Sequence, residues 1–399
     1  MKNKVAILII FLLTSNTMVA AKTIHSIYLV TKSGLIYEEG SKKPFSGFST
    51  DYHENGRTAW IVQYKRGILN GSYETFHDNG QLKISSSTKN GSYNGIYQEF
   101  YRNGNLKLET YYTDGLFDGE YNEYCSNGNI LIEKLFVKGV HNGLNKKFDC
   151  YGNVLILSNY ANGNLDGNYE EYSNKVLVKK TNYTNGLING SYQIFYENGS
   201  LKEKGLYEMG YLIGEYFFYH ANSIIASKAN YINGVIDGKY EEFHFNGNLK
   251  LSTNYSNGKL DGEYLAYDAT GNITKKQNYN FGDLIMDVQY NSNGIATNIS
   301  NFKEGLKHGM TISRYDNGNV RDVYTWEKGK LNGEMIRRDE NGILLEWANY
   351  RNDVWHGRRM INRANAWIDV ERYEDGEFVE FLGRIENPDE LEKILKINP

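Results

Sequence analysis

The chain has 399 residues, with 44 Lys and Arg against 48 Asp and Glu and a formal net charge of −4 at neutral pH. This balance excludes the chain-wide surplus of basic residues that nucleic-acid binding needs. A chain of this length would ordinarily form two or three domains, but the prolines are confined to Pro44, Pro388 and Pro399, so no proline-rich linker separates any. We therefore expect one continuous architecture and no nucleic-acid partner.

The first 21 residues have the pattern of a secretory signal peptide. Lys2 and Lys4 precede an apolar run over residues 5–13, and Ala20 and Ala21 supply small residues for cleavage. The run is shorter than the ~20 residues that span a bilayer, so a retained membrane anchor is the weaker alternative. We predict cleavage near Ala21 and an exported protein that is periplasmic, displayed on the outer surface or secreted.

The rest of the chain repeats the motif Gly-x-Tyr-x-x-aromatic-x-x-Gly about every 24 residues, a period that indicates a tandem array. Each repeat is numbered here from its first glycine, as position 0. Position 0 falls at Gly47, Gly71, Gly95, Gly119, Gly143, Gly167, Gly190, Gly214, Gly238, Gly262, Met286, Gly309, Gly333 and Gly357.

Two connections in each repeat predict a β-hairpin. Position 9 is usually the glycine of an Asn-Gly pair between runs rich in aromatic and β-branched residues, and position 20 is the glycine that begins a second reversal, as in Gly234-Val-Ile-Asp-Gly238. The predicted fold is all-β, an elongated antiparallel meander of about 14 tandem 24-residue hairpins. We assign a turn role to Gly71, Gly80, Gly95, Gly104, Gly119, Gly238, Gly247 and Gly262.

The apolar positions of the repeat predict which side chains share a face of the sheet. Position 5 is aromatic, position 11 aliphatic, and position 17 aromatic, as in Phe100, Leu106 and Tyr112. A three-residue loop with a glycine bulge at position 9 places positions 5 and 11 opposite each other, and we expect position 17 to join them. Position 2, usually tyrosine, then lies on the other face. A two-residue turn is the alternative and would move position 5 to the opposite face.

The array divides the chain into four segments. These are a signal peptide over residues 1–21, strands leading into the array over 22–46, the hairpin array over 47–376, and a C-terminal cap over 377–399. In the cap, Asn387-Pro388 resembles a helix start and is followed by Leu391, Ile394 and Leu395 on one helical face. We predict a short helix that covers the last strand edge.

The repeat resembles MORN repeats, specifically the MORN-2 variant of bacterial proteins of the YwqK-type antitoxin family. The segment from Asn230 to Lys250, with Gly234, Gly238 and Tyr240, shows that pattern, and the resemblance covers roughly residues 34–360. It implies a ribbon of β-hairpins that binds proteins or, in some members, membranes, and it implies no catalytic residues. A cytosolic antitoxin would not carry a signal peptide, so the antitoxin resemblance fits this chain poorly, and immunity against a toxin that acts outside the cytoplasm stays open as an alternative.

Two sets of polar side chains recur at equivalent positions of several repeats. They are the histidines His53, His77, His220 and His244 and the aspartates Asp118, Asp166, Asp237 and Asp261. Equivalent positions in successive repeats lie two strands apart, at about 10 Å, so neither set converges on one ion. We interpret the histidines as exposed strand residues and the aspartates as turn formers, and we predict no metal and no cofactor.

The two cysteines, Cys125 and Cys150, fall at positions 6 and 7 of successive repeats. Two strands of separation exceed the ~7 Å between Cα atoms that a disulfide tolerates. We therefore expect two free thiols. No spacing in the chain suggests a nucleophile with its base, and the glycines belong to turns rather than to a phosphate-binding loop, so we predict that the protein is not an enzyme.

The last repeats differ in composition from the others. Ten of the thirteen arginines and four of the five tryptophans lie at or beyond Arg314. Trp and Arg are frequent anchors in protein interfaces, whereas atypical terminal repeats also serve as caps of an array. The candidate partner-binding residues are Arg314, Trp326, Arg338, Trp347, Trp355, Arg358 and Arg359.

Two functions are compatible with this pattern. The first is a scaffold that binds a protein partner along the array, with its anchors in the C-terminal repeats. The second is surface adhesion to a glycan or a lipid through stacked tyrosines, although the net negative charge disfavours anionic membranes.

Overall fold

The computed structural model describes residues 22–364 and 366–386. They belong to two compact units, Met1–Lys175 (unit 1) and Val176–Pro399 (unit 2). The predicted signal peptide over residues 1–21 and the short helix predicted from Asn387 onward lie outside the described residues. Among the described residues, no helix is both long enough and apolar enough to cross a membrane.

The described residues of unit 1 form strands and one 3-10 helix, Ser26–Tyr28. A separate hairpin, β2 with β3, precedes an antiparallel meander from β4 to β15, and β1 pairs in parallel with β4 at its first edge. The strands are β1 (Thr23–His25), β2 (Leu29–Lys32), β3 (Leu35–Glu38), β4 (Gly47–Tyr52), β5 (Thr58–Lys65), β6 (Ile68–Phe76), β7 (Leu82–Lys89), β8 (Ser92–Phe100), β9 (Leu106–Thr113), β10 (Leu116–Tyr124), β11 (Ile130–Val137), β12 (Val140–His141), β13 (Gly143–Phe148), β14 (Val154–Ala161) and β15 (Asn164–Ser173).

Unit 2 is an antiparallel meander in chain order, and with unit 1 it confirms the predicted all-β array of hairpins. The strands are β16 (Val176–Thr184), β17 (Leu187–Phe195), β18 (Leu201–Glu208), β19 (Tyr211–Tyr219), β20 (Ile225–Ile232), β21 (Val235–Phe243), β22 (Leu249–Ser256), β23 (Lys259–Tyr267), β24 (Ile273–Asn280), β25 (Asp283–Tyr290), β26 (Ala296–Lys303), β27 (Leu306–Arg314), β28 (Val320–Glu327), β29 (Lys330–Arg338), β30 (Leu344–Arg351), β31 (Val354–Arg363), β32 (Trp367–Glu374) and β33 (Glu377–Ile385). The segment predicted as a cap therefore begins with a strand, β33, that pairs with β32.

The Asn-Gly loops have the predicted bulged form, as the loop between β8 and β9 illustrates. Between β8 and β9, Phe100 pairs with Leu106. The amide of Gly104 donates to the Tyr101 carbonyl at 2.9 Å, the Tyr101 amide donates to the Asn105 carbonyl at 2.8 Å, and Gly104 has φ +85°. This is a three-residue loop closed by a glycine in the left-handed region. Positions 5 and 11 therefore face each other, as predicted.

A two-residue turn makes the second connection of each repeat. Between β9 and β10, Thr113 pairs with Leu116, and the turn residues Asp114 and Gly115 have φ values of 49° and 84°. Two consecutive residues with positive φ match the right-handed twist of the flanking strands.

Position 17 lies on a different face from the one predicted. Tyr97 pairs with Thr110, but the register shifts before Phe100 pairs with Leu106. One extra residue in β9 between Leu106 and Thr110 reverses the alternation of side chains. Tyr112, two residues beyond Thr110, consequently shares the face of Tyr97. The prediction that position 17 joins positions 5 and 11 is wrong.

Two faces of the sheet result, and they carry different chemistry. We call the face with positions 2, 15 and 17, such as Tyr97, Thr110 and Tyr112, the tyrosine face. The face with positions 1, 3, 14 and 16, such as Ile96 and Glu109, is called the groove face. Both definitions follow from the pairing of Tyr97 with Thr110 and of Ile96 with Tyr111, and they apply within each unit.

The repeat aligned on Met286 is one residue short. Met286 pairs with Asn301, whereas position 0 of other repeats pairs with position 17, as Gly309 does with Trp326. Position 0 of this repeat is therefore Ile285, which corrects the sequence alignment. Gly309 lies in a bulge with φ +77°. The bulge of the shorter repeat has one residue fewer, and Ile285 does not have a positive φ, so an ordinary side chain fits there.

Little of this sheet forms a conventional core. On the tyrosine face, position 15 is a small residue buried beside the rings. Examples are Ser86, Thr110, Ser158, Thr181, Ala229 and Thr253. A cluster of larger buried side chains occurs only among the last described strands of unit 2, and consists of Ile336, Leu344, Trp347, Met360 and Ile368. Stability elsewhere must come from contacts between neighbouring strands and repeats.

The Asn-Gly loops of successive hairpins are hydrogen-bonded to each other. Asn103 Nδ2 donates to the Ser126 carbonyl of the next loop at 3.0 Å, and Asn103 Oδ1 accepts the amide of Asn105 in its own loop at 3.0 Å. The same inter-loop bond, to the carbonyl 23 residues later, is made by Asn55, Asn79, Asn127, Asn198, Asn222, Asn246 and Asn317.

Cys125 and Cys150 form a disulfide, so the prediction of two free thiols is wrong. Their Cα atoms are 5.7 Å apart, inside the ~7 Å between Cα atoms that a disulfide tolerates. Both residues lie in the first loops of successive hairpins, and Asn127 Nδ2 donates to the Cys150 carbonyl at 2.8 Å. Direct packing of successive loops brings the cysteines closer than the strand spacing in the middle of a sheet would allow.

Candidate binding surface

The tyrosine face of unit 1 is a continuous row of aromatic rings. Neighbouring rings of Tyr93, Tyr97, Tyr112, Phe117 and Tyr121 have centroids 4.7–5.6 Å apart, mostly edge to face. Burial raises the pKa of Tyr97 to about 12, so its hydroxyl stays protonated. These rings stabilise the sheet by packing on each other, because cross-strand aromatic pairs add to the burial of their area.

In unit 2 the tyrosines of the same face form pairs. The pairs are Tyr192 with Tyr207, Tyr216 with Tyr231, Tyr240 with Tyr255, and Tyr264 with Tyr279, at centroid distances of 5.3–6.4 Å. Three of these hydroxyls also donate to side chains, namely Tyr216 to Glu203 at 2.5 Å, Tyr240 to Glu242 at 2.7 Å and Tyr279 to Gln277 at 3.0 Å. The tyrosines predicted as possible glycan or lipid contacts are therefore engaged within the sheet.

The groove face of unit 1 carries a polar row across the strands. Gln98 pairs with Glu109, Glu109 with Asn122, Asn122 with Glu133, and Glu133 with Lys146. Gln98 Nε2 donates to Glu109 at 2.6 Å, and Lys146 Nζ lies 2.7 Å from Glu133. The row presents carboxylates of which one is neutralised by a lysine.

A second row runs beside it on the groove face, two residues along each strand. Its large apolar side chains are exposed, with Ile96 at 59%, Tyr111 at 44%, Leu135 at 39% and Leu144 at 46%, and Glu120 lies between Tyr111 and Leu135. A cavity of about 400 Å³ lies between the two rows, lined by Glu120, Asn122, Glu133, Lys134, Leu135, Leu144 and Lys146. Exposed apolar side chains gathered beside a concavity are typical of an interaction surface.

The groove face of unit 2 has a different charge pattern. Lys204 Nζ lies 4.5 Å from the centre of the Phe217 ring, and both Lys228 and Lys239 are within 2.6 Å of Glu241. Burial alone would raise the pKa of Glu241, but hydrogen bonds from the two lysines lower it overall. Lysines therefore predominate on this part of the face.

The tryptophans predicted as partner-binding anchors make contacts within unit 2. Trp347 is 7% exposed and belongs to the buried cluster. Trp355 donates from Nε1 to the Tyr350 hydroxyl at 2.7 Å, and the guanidinium of Arg359 stacks 3.8 Å from the Trp355 ring. Trp326 lies under Lys307 Nζ, at 4.7 Å.

Most arginines of the C-terminal repeats belong to a network of ion pairs. Asp322 accepts hydrogen bonds from Arg321 at 2.9 Å and from Arg337 at 3.1 Å, and Glu346 pairs with Arg359 at 2.8 Å. The network continues from Asp369 to Arg363 and Arg384, each at 3.0 Å. These contacts agree with the alternative that the terminal repeats are atypical because of their structural role.

The remaining predicted arginines are Arg314 and Arg338, which donate to backbone carbonyls, and Arg358, which is exposed. Arg314 Nη1 donates to the Ala296 carbonyl at 3.1 Å, and Arg338 Nη1 donates to the Gly342 carbonyl at 3.0 Å. Arg358 is exposed and lies on the groove face. The structure therefore separates Arg358 from the other predicted residues, whose side chains already have intramolecular partners.

The recurring histidines have a role that sequence reasoning missed. The Nε2 atoms of His53, His77, His220 and His244 lie 2.9–3.1 Å from the carbonyl oxygens of Phe76, Phe100, Phe243 and Tyr267, each 23 residues later. All four histidines are half-buried at the start of a loop, so the prediction of exposed strand residues is wrong. The signal was the spacing itself, since Tyr101 and Tyr196 at the same position make the same bond.

The aspartates at the second connection also join successive repeats. Asp118, Asp237 and Asp261 accept the backbone amides of Lys138, Asn257 and Phe281, at 2.9–3.1 Å. These amides belong to the first residue of the next two-residue turn. Within residues 22–364 and 366–386, no group of three or more His, Cys, Asp or Glu side chains is arranged to hold a metal ion.

The glycines assigned to turns fall into two structural groups. Gly80, Gly104 and Gly247 close Asn-Gly loops. Gly71, Gly95, Gly119, Gly238 and Gly262 lie inside strands, at the bulge that follows the second connection. Gly119 illustrates the requirement, because its φ of +131° lies in a region that other residues rarely adopt.

These features define a class: a tandem-repeat β-hairpin protein in which side chains of one repeat bind the backbone of the next. Six segments match the MORN repeat variant family, at residues 69–90, 93–114, 188–209, 212–233, 236–257 and 260–280. The matched segments end before the repeats that carry the arginine network. The six matches confirm the MORN-2 resemblance and leave the antitoxin resemblance as a prediction.

No curated protein matches the chain. Solved structures similar to it include the Photorhabdus luminescens Tc holotoxin pore with a mutated TccC3, at 12% identity and a TM-score of 0.15, where the match covers 82% of this chain and 21% of the other. A TcdB2–TccC3 structure without its hypervariable C-terminal region has the same identity and TM-score, with coverage of 85% and 24%. The chain thus spans less than a quarter of the length of these structures.

Proposed function

We propose that the protein is a non-enzymatic scaffold that binds a protein partner through the groove face of unit 1. The observation that carries this proposal is the row of exposed apolar side chains, Ile96, Tyr111, Leu135 and Leu144, beside a cavity. MORN repeats are commonly binding modules, which supports a protein partner.

The use of reactive side chains supports a non-enzymatic role. Half-buried histidines bind backbone carbonyls, the cysteines form a disulfide, and aspartates accept turn amides. Each of these groups has a structural partner in the next repeat. Function in such arrays resides in the surface that the rigid repeats present.

A photo-crosslinking experiment tests the binding surface. A benzoylphenylalanine replaces Leu144 in the full chain expressed in its native host, and a matched variant carries it at Val235, which is similarly exposed at 45% but lies in unit 2 near a two-residue turn. We expect discrete covalent adducts from position 144 that position 235 does not give. The same adducts from both positions would refute a binding surface on the groove face.

We also propose that the protein is exported. The N-terminal pattern of Lys2, Lys4 and the apolar run supports this, and so does the Cys125–Cys150 disulfide, because such bonds persist in oxidising compartments. Fractionation of the host should recover the full-length gene product outside the cytoplasm, cleaved near Ala21 and without free thiols. Recovery of an uncleaved cytoplasmic protein with two reactive thiols would contradict export.

Immunity against a toxin that acts outside the cytoplasm is the finer form of this proposal. It rests on the YwqK-type resemblance together with the signal-peptide pattern. Among the residues predicted in the C-terminal repeats, we retain Arg358, which is exposed on the groove face of unit 2, as a candidate contact.

A further inference from the structure

We propose that the groove face of unit 1 binds a basic amphipathic helix, with Lys or Arg along one side and aliphatic residues beside them. The inference rests on the proposed function and names the chemistry of the partner. Two parallel rows of side chains on this face, one acidic and one apolar, carry it.

The acidic row is not neutralised by the protein itself. Glu109 accepts a hydrogen bond from the side-chain amide of Gln98. In the described part of the chain, Glu109 forms no ion pair, and neither does Glu120, which pairs with Leu135 in the row beside it. Glu133 pairs with Lys146, the one lysine among the paired residues of this row. Lys134 lines the cavity but directs its Nζ to the Tyr121 ring, on the tyrosine face. A cationic partner would therefore find uncompensated carboxylates.

The apolar row lies alongside and would contact the same partner. Tyr111 follows Glu109 by two residues on β9, and Leu135 follows Glu133 by two residues on β11. Side chains two apart on a strand point to the same face, about 7 Å from each other. A segment lying across the strands would thus meet Glu109 and Glu133 along one side, and Tyr111 and Leu135 with Glu120 between them along the other.

The spacing across the strands favours a helix as the occupant. Glu109 and Glu133 are two strands apart, as are Tyr111 and Leu135, which corresponds to about 10 Å. Two turns of an α-helix rise about 11 Å, so residues seven apart on one helix face reach successive members of each row. An amphipathic helix that lays one face in an apolar groove is a common mode of recognition, and acidic rims select basic helices.

Binding of model peptides to the purified full chain tests this inference. The probe is a fluorescein-labelled 15-residue helical peptide of Leu and Lys. It is compared with an analogue in which Glu replaces every Lys and with a Leu–Lys peptide of scrambled order. Fluorescence anisotropy should show binding of the helical Leu–Lys peptide at least tenfold tighter than of either control, weakening as salt increases.

Variants of the groove locate the site. Glu109→Gln with Glu133→Gln should weaken the Leu–Lys peptide at least tenfold. Its matched control, Glu197→Gln with Glu208→Gln, removes the same charge from exposed positions in unit 2 and should leave binding unchanged. Leu135→Ser should weaken binding without changing its salt dependence. Circular dichroism of each variant verifies that the β-structure is retained.

The outcomes separate this inference from the proposed function. Equal weakening by both charge-removing pairs, or equal binding of the Lys and Glu peptides, would overturn a basic helix as the partner. In either case, adducts from position 144 would still support a protein-binding groove. Absence of those adducts together with absence of peptide binding would refute both.

Discussion

At the scale of single residues, the two-residue turns place a strained backbone in almost every repeat. The first turn residue has φ near 50° although it is not glycine, and asparagine, which tolerates this conformation, recurs there. Asn90, Asn162, Asn185, Asn233, Asn257 and Asn352 occupy the position. Met209 and Phe281 occupy it in two repeats of unit 2, with φ of 47° and 46°, and both side chains are more than half exposed.

Replacement of Phe281 by Asn should stabilise unit 2. The side chain is 60% exposed, so little burial is lost, and Asn adopts positive φ at lower cost, for a gain of roughly 0.5–1 kcal/mol. Urea denaturation followed by circular dichroism measures the change. The control is Phe245→Asn, since Phe245 is 63% exposed without a positive φ. Equal effects of the two substitutions would show that backbone strain at Phe281 is unimportant.

At the scale of elements, the hairpin is not the complete structural unit. Its Asn-Gly loop binds the loop of the next hairpin, and its second turn receives a side chain from the preceding repeat, as Asp261 binds the Phe281 amide. Along each edge of the array, hydrogen bonds thereby join residues that are about 20 positions apart in the chain. Neighbouring repeats therefore stabilise each other, which is the behaviour expected of a quasi-one-dimensional array.

Loss of one inter-loop bond should loosen two loops together. Asn103→Ala removes the bond to the Ser126 carbonyl and the bond to the Asn105 amide, at about 1–2 kcal/mol for the pair. Hydrogen exchange should accelerate at the amides of Gly104 and Gly128, in both loops. Ser126→Ala keeps the carbonyl acceptor and is expected to have no effect. Faster exchange at Gly104 alone would contradict coupling between the loops.

At the scale of the whole molecule, each unit is stabilised in its own way. The described part of unit 1 depends on the aromatic row of the tyrosine face, on loop contacts and on a disulfide. The last strands of unit 2 add a buried cluster around Trp347 and a network of ion pairs around Asp322, Glu346 and Asp369. Atypical end repeats of this kind protect a terminal edge.

The network makes the stability of unit 2 sensitive to acid. Burial alone would raise the pKa of Asp322, but hydrogen bonds from Arg321, Ser313 and Arg337 lower it overall. A lowered pKa means that the stabilisation is complete above the ordinary Asp value of about 3.9 and is lost as the pH falls through the lower, folded value.

Asp322→Asn should therefore cost about 1–2 kcal/mol at pH 7, a figure reduced because the arginine side chains are about half exposed. The difference from the native chain should shrink below pH 4. Denaturation midpoints from pH 7 to pH 2.5 test this, with exposed Asp283→Asn as the control. A difference that stays constant with pH would exclude ionised Asp322 as its source.

The candidate site was only partly predictable. Composition located Arg and Trp in the last repeats, but it could not show that Arg359 stacks on Trp355 or that Trp347 is buried. The groove of unit 1 was missed because Glu109, Tyr111, Leu135 and Glu133 are ordinary strand residues, and they form two rows only once the strand register is known.

The sequence by itself determined the hairpin, its period and its loop, because glycine and asparagine act on the backbone within a few residues. Only the tertiary structure decided three other features: the face that Tyr112 shares with Tyr97, the contact between loops that joins Cys125 to Cys150, and the partners of the C-terminal arginines. A bulge changes side-chain parity, and loop packing changes distance, through interactions between residues far apart in the chain. Such interactions leave no signal in the local sequence or in the period of the repeat.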